Sequence, residues 1–212
     1  MAGCAVPGTV SRPEVVVLIP ESTRKRPGGS SDAPKEDTIT GALPTDARVK
    51  LNALREEVVT KGPRGVVASG KFLPAHQRFD GNMYRNIPSE AWDERSPAVE
   101  VVIASALRGL VASRDGIPAY RLSMAEVTPP FGKLNRWWHD RGLPGILASY
   151  LNAVRPGIVV DLLSLEYRES VKGYAERLTG IDIKTVDFPG MGRASQPLRG
   201  ERVASILRSG KA

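Results

Sequence analysis

The chain contains one cysteine, Cys4, and two histidines, His76 and His139, in 212 residues. A single cysteine allows no internal disulfide and no cysteine-based zinc cluster, and two distant histidines argue against a histidine-rich metal site. Aromatic residues are scarce, at 6%. The longest apolar stretches are VVVLI (15–19) and the region around VVIASAL (101–107). Both fall far short of the roughly 20 residues that span a bilayer, so no membrane partner is expected. Residues 1–12 lack a basic segment followed by an apolar one, the mark of a secretory signal. They read as a disordered leader, and the expected compartment is the cytoplasm. What is abundant is positive charge: 30 Lys and Arg against 23 Asp and Glu leave +7, which favours an anionic partner. The length suits one domain that needs neither metal nor disulfide to hold its core.

PEVVVLIP (13–20) is a continuous β-branched run, predicted as a strand covered on both faces, and AVEVVIAS (98–105) and GIVVDLLS (157–164) are predicted as two further buried strands. IDIKTVDF (181–188) alternates like a half-exposed strand. A polar, Gly/Pro/Ser-rich loop follows the first strand to about Thr45. Leu51, Leu54 and Val58 then share one face of a predicted helix that stops at Gly62-Pro63. ALRGLVAS (106–113) is predicted as one or two helical turns. LNRWWHDRG (134–142), PGILASYLNAV (144–154) and YRESVKGYAERL (167–178) are predicted as helices. The stretch 64–98 reads as irregular, and GIPAYRLSM (116–124) as a short extended segment. Residues 191–212 read as a basic C-terminal tail or helix with a narrow stripe of Val203, Ile206 and Leu207. Strands alternating with helices predict an α/β fold, a single layered domain over 13–190 with a mostly buried central sheet and flanking helices.

In open α/β sheets ligands bind beyond the carboxyl ends of the strands. Past the three buried runs stand Glu21, Ser22, Thr23, Arg24 and Lys25, then Ser105 and Arg108, then Ser164, Glu166 and Tyr167. If the strands are parallel, these groups share one rim, suited to holding an anion or to acid–base chemistry. Lys25 supplies a compact positive charge, and Ser22, Ser105 and Ser164 supply hydroxyls for phosphate or carboxylate oxygens. Glu166 is a general base if burial raises its pKa. Each position also has an ordinary reading. Ser164, for example, is a fitting N-cap, with Glu166 in the favoured first turn of the following helix.

Five elements, in order, carry a family resemblance across residues 13–190. They are VLIPESTRKRPGG with Pro20, Ser22 and Lys25; RFDGNMYRNI with Gly81 and Tyr84; and SALRGL with Ser105, Gly109 and Leu110. IPAYRLSM follows with Pro118, Tyr120, Arg121, Leu122 and Met124, ahead of the Trp137-Trp138 helix. VVDLLSLEYRESV closes the set with Ser164, Glu166, Tyr167 and Val171. Together they resemble the YaaA family, often called peroxide stress proteins. The resemblance implies an α/β architecture with a positively charged cleft and a role in limiting oxidative damage and free iron under hydrogen peroxide. It also implies DNA binding through a helix-hairpin-helix-like element. The chain departs from the family by its shortness between the first strand and the Gly-x-x-Tyr element and by its poorly matching last 20 residues. GLPGIL (142–147) is similar to a helix-hairpin-helix loop, whose amides contact phosphate, although Leu147 stands where the second glycine would be.

Two functions follow from these observations. One is a stress-protective protein that binds duplex DNA through phosphate contacts. The other is an enzyme acting on a small anionic ligand, nucleotide-like or amino-acid-like. In the enzyme reading Lys25, Glu166 and Tyr167 are catalytic, and Ser22, Ser105, Tyr120, Arg121 and Ser164 bind the anion. Arg121 clamps it bidentately while Glu166 or Tyr167 moves a proton. No metal and no cofactor is expected, and no feature of the chain specifies an oligomeric state.

Overall fold

Every residue of β1 (Val15–Pro20) is buried, as the unbroken β-branched run requires. It lies at the middle of a five-stranded sheet in a computed structural model that describes residues 12–32 and 37–212. The expected leader lies outside the described residues apart from Arg12. After β1 the chain forms α1 (Thr38–Ala42), α2 (Thr45–Lys61), β2 (Val67–Pro74) and three short helices, α3 (Ala75–Arg78), α4 (Asn82–Arg85) and α5 (Ser89–Asp93). Next come β3 (Val99–Ser105), β4 (Gly109–Ala112), β5 (Gly116–Tyr120), β6 (Val127–Thr128) and β7 (Gly132–Lys133). The chain ends with α6 (Leu134–Asp140), α7 (Leu143–Val154), β8 (Ile158–Asp161), α8 (Leu165–Val171), β9 (Asp182–Thr185) and α9 (Ser195–Ser209).

The sheet runs β4-β3-β1-β8-β9. β3, β1, β8 and β9 are parallel, with Val15 opposite Val99 and Ile158, whereas β4 runs antiparallel to β3. The three predicted buried strands are therefore adjacent and point the same way. β2 and β5 form a separate antiparallel pair, as do β6 and β7. The fold is mixed α/β with a central sheet flanked by helices, as the alternation of elements requires.

Several local expectations are corrected. ALRGLVAS is a tight turn and a strand, not a helix. Gly109 adopts φ +69, and a Cβ there would lie 3.0 Å from both Trp138 and Leu143. The chain therefore reverses at a residue without a side chain, and Gly109–Ala112 pairs back on β3. The irregular stretch 64–98 contains β2 and three short helices. The helix expected over 167–178 ends at Val171 and resumes only as a 3-10 turn, Ala175–Arg177. β9, expected to be half-exposed, is exposed at all four positions, as an edge strand can be. The C-terminal segment, read as a tail or helix, is the helix α9, and it joins the core: Val203, Ala204, Ile206 and Leu207 are buried, and α9 packs on α4 and α5.

Candidate functional site

The parallel strands β1, β3 and β8 end at Pro20, Ser105 and Asp161 on one edge of the sheet. The Glu21 amide continues the ladder by donating to Ala104 O at 3.0 Å, which seats the next side chain inside the edge rather than above it. That side chain, a carboxylate, is fully buried. It accepts hydrogen bonds from the hydroxyls of Tyr120 and, at 3.4 Å, of Tyr167, and the Lys25 ammonium lies 3.9 Å away. Ser105 Oγ is 2.8 Å from the Tyr120 hydroxyl and extends the network to the end of β3. Lys25 Nζ donates to Leu122 O at 3.2 Å and stands 3.9 Å from the centroid of the Tyr120 ring, a cation–π arrangement. Tyr84 donates to Pro20 O at 2.8 Å and closes the cluster from α4.

Burial dominates the electrostatics. It pushes the Glu21 carboxyl above its ordinary value, against the opposing pull of Lys25 and the tyrosine hydroxyls. It pushes Lys25 below its ordinary value, opposed by Glu21 and Glu126. Burial and the neighbouring Glu21 charge hold Tyr84, Tyr120 and Tyr167 well above the usual phenol range. All three therefore stay protonated as donors. The cluster combines a carboxyl of raised pKa, a desolvated amine and fixed hydroxyl donors, which are the ingredients of acid–base chemistry at neutral pH.

A cavity of about 220 Å3 adjoins the cluster, with Glu21, Ser22, Tyr84, Ser164, Tyr167 and Gln196 among its lining residues. Ser22 Oγ accepts from the amides of Asp80 and Gly81 at 3.1 Å each, tying the loop after β1 to the start of α4. Beside it, Arg24, Arg26 and Arg85 lie 3.2, 3.6 and 2.9 Å from Asp80. Three cations around one carboxylate leave two positive charges there. Among the described residues no group of three His, Cys, Asp or Glu side chains is arranged to hold a metal ion. Among the described residues no helix is long and apolar enough to cross a membrane.

Of the residues singled out from the sequence, Lys25, Ser105, Tyr120 and Tyr167 meet in one network, and Ser22 and Ser164 line the adjoining cavity. Arg121 and Glu166 do not join them; both are exposed. Tyr120 faces inward at the end of β5, so the next residue along the extended chain faces out. On α8, one residue is about a hundred degrees of rotation, so an inward Tyr167 leaves Glu166 in solvent. The buried carboxylate is instead Glu21, identified from the sequence only as one of several polar residues past β1. Its one legible signal is its position immediately after a fully buried run.

Two nucleic-acid features are also resolved. Trp138 is fully buried, with its indole N–H donating to Ala106 O at 3.0 Å, and Trp137 packs between Phe131 and Trp138. In GLPGIL, Leu143, Pro144, Ile146 and Leu147 are buried, and the amides of Gly142, Gly145 and Ile146 donate to carbonyls within the turn. These three amides are not available to phosphate.

The family model described as peroxide stress protein YaaA matches residues 45–196. That range contains Ser105, Tyr120 and Tyr167 but not Glu21 or Lys25. A UPF0246 protein of Streptomyces coelicolor is 30% identical over 185 residues, covering 76% of this chain and 69% of the relative. A UPF0246 protein of Ruegeria sp. is 32% identical over 98 residues, covering 44% of this chain and 39% of the relative. One from Francisella tularensis subsp. novicida is 30% identical over 112 residues, covering 50% of this chain and 44% of the relative. The chain thus spans less than half the length of the latter two relatives in the matched regions. With the family model covering most of the chain and the Streptomyces relative matched over more than two thirds of its length, the chain belongs to the YaaA, or UPF0246, family of peroxide stress proteins.

Proposed function

We propose that the protein performs acid–base chemistry on a small anionic molecule, nucleotide-like or amino-acid-like, at the carboxyl edge of its sheet, in the cytoplasm. The observation that carries this reading is the buried Glu21–Lys25 pair, with Glu21 held by two tyrosine hydroxyls, beside a cavity that Glu21 and Tyr167 help to line. Glu21 is the proton-transferring group, Tyr120 and Tyr167 orient its carboxyl, and Lys25 balances its charge. The excess positive charge of Arg24, Arg26 and Arg85 over Asp80 draws an anion toward the cavity. The lone cysteine suits a reducing compartment.

The test is incubation of the purified protein, and of Glu21→Gln, with a low-molecular-weight cell extract, followed by mass spectrometry. Anionic species consumed by the wild type and spared by the variant are expected. A base acts when deprotonated, so the rate should rise with pH through a value above the 4.5 of an ordinary glutamate. Equal consumption by both proteins, or by neither, would overturn the reading.

A second reading, phosphate contact with duplex DNA, is favoured by the same arginine rim, since Arg24 and Arg26 are 67% and 59% exposed. It is distinguished by the salt dependence of duplex binding.

A further inference from the structure

A separate cavity, of about 390 Å3, opens between α1 and α2 on one side and β4 and β5 on the other. Arg48, Arg55 and Arg108 line it with Asn52, Asp37 and Asp115. The two acids are already engaged. Asp37 accepts from Thr40 N at 2.8 Å and pairs with Arg55 Nη1 at 2.6 Å, while Asp115 accepts from Thr38 N at 2.8 Å and Ala112 N at 2.7 Å. Arg55 is engaged as well: Nε donates to Arg108 O at 3.0 Å and Nη2 to Leu110 O at 2.8 Å.

The guanidinium groups of Arg48 and Arg108 are different. Among the described residues neither makes an ion pair or a side-chain hydrogen bond. Arg108 is partly buried, and burial, with Arg55 beside it, pushes its pKa below the ordinary value against the opposing pull of Asp37, Tyr120 and Asp115, whereas Arg48 is exposed at the cavity mouth. A partly desolvated guanidinium whose donors are unused by the described residues favours an anion that meets it. The charges come from two different elements, α2 and the turn between β3 and β4, so they can approach an oxyanion from two directions. Guanidinium forks match phosphate oxygens bidentately.

We propose that this cavity is a phosphate-binding site, in which Arg108 and Arg48 hold the oxyanion and the Asn52 amide adds a further donor. The site does not depend on the chemistry assigned to Glu21.

The test is calorimetric titration of the full chain with inorganic phosphate at fixed ionic strength, with chloride as the reference salt. Saturable binding by the wild type is expected, weakened about tenfold or more in Arg108→Gln, as loss of a charge-assisted bond entails. Arg108→Lys should recover part of the affinity, and circular dichroism should show both variants folded. Glu21→Gln should bind phosphate like the wild type, which separates this site from the acid–base cluster. No saturable binding by the wild type, or equal affinity in Arg108→Gln, would overturn the proposal.

Discussion

At the scale of the residue, Glu21 and Lys25 carry opposite charges in a place where neither is hydrated. Their side chains are 0% and 4% exposed. Such a pair stabilises a fold weakly when intact and destabilises it strongly when one member is lost, because the survivor is a buried charge without a counter-charge. Lys25→Met should therefore lower the unfolding free energy by about 3 kcal/mol in urea denaturation. Glu21→Gln/Lys25→Met should cost less than the sum of the two single changes, with a coupling of about 1 kcal/mol or more. Strict additivity would mean that the two groups do not sense each other. Glu166, by contrast, is exposed, so its carboxylate keeps its hydration and stands apart from the buried network.

At the scale of the element, legibility followed the length and uniformity of the pattern. The runs that became β1, β3 and β8 were legible because a strand buried on both faces needs apolar residues at every position, whatever its neighbours. ALRGLVAS and YRESVKGYAERL were not, because the outcome at a short segment depends on what packs around it. α9 shows the same limit. Its stripe of Val203, Ile206 and Leu207 was visible, but the surface that covers it was not. That surface includes α4, approached so closely that a Cβ on Gly200 would lie 2.4 Å from Met83 O and 2.9 Å from the Asn86 Cβ. Gly200→Ala should therefore destabilise the protein by about 2 kcal/mol in denaturant unfolding. An unchanged midpoint would show that α9 stands away from α4. Arg199 further marks α9 as part of the core: it is buried and donates to Leu162 O at 3.1 Å and to Ser195 Oγ.

At the scale of the whole molecule, the net charge of +7 says less than its distribution. Part of it is spent inside: Arg55, Arg78 and Arg199 are buried, and Arg78 donates to the carbonyls of Ile117, Arg26, Gly28 and Lys71. The concentrated excess that faces solvent beside the cavity is Arg24, Arg26 and Arg85 around Asp80. If that rim contacts duplex DNA, the log–log salt slope of binding should fall by about 0.9 for each phosphate contact removed in Arg24→Ala, Arg26→Ala and Arg85→Ala. A slope unchanged in the triple variant, measured by fluorescence anisotropy, would exclude the rim as the contact.

The sequence by itself determined the α/β class, the three buried strands and the stock of polar residues that follow them. Each is a local property: apolar composition over six or eight residues, and the polar chain beyond it. Only the tertiary structure decided which of those residues meet. The Glu21 carboxylate is completed by Tyr120 and Tyr167, 99 and 146 positions further along the chain. Whether a given side chain joins them depends on which way the end of β5 and the first turn of α8 face. A change of one residue in that phase separates Tyr120 from Arg121 and Tyr167 from Glu166. That phase is set by packing against distant elements, so it is absent from any local pattern of residues.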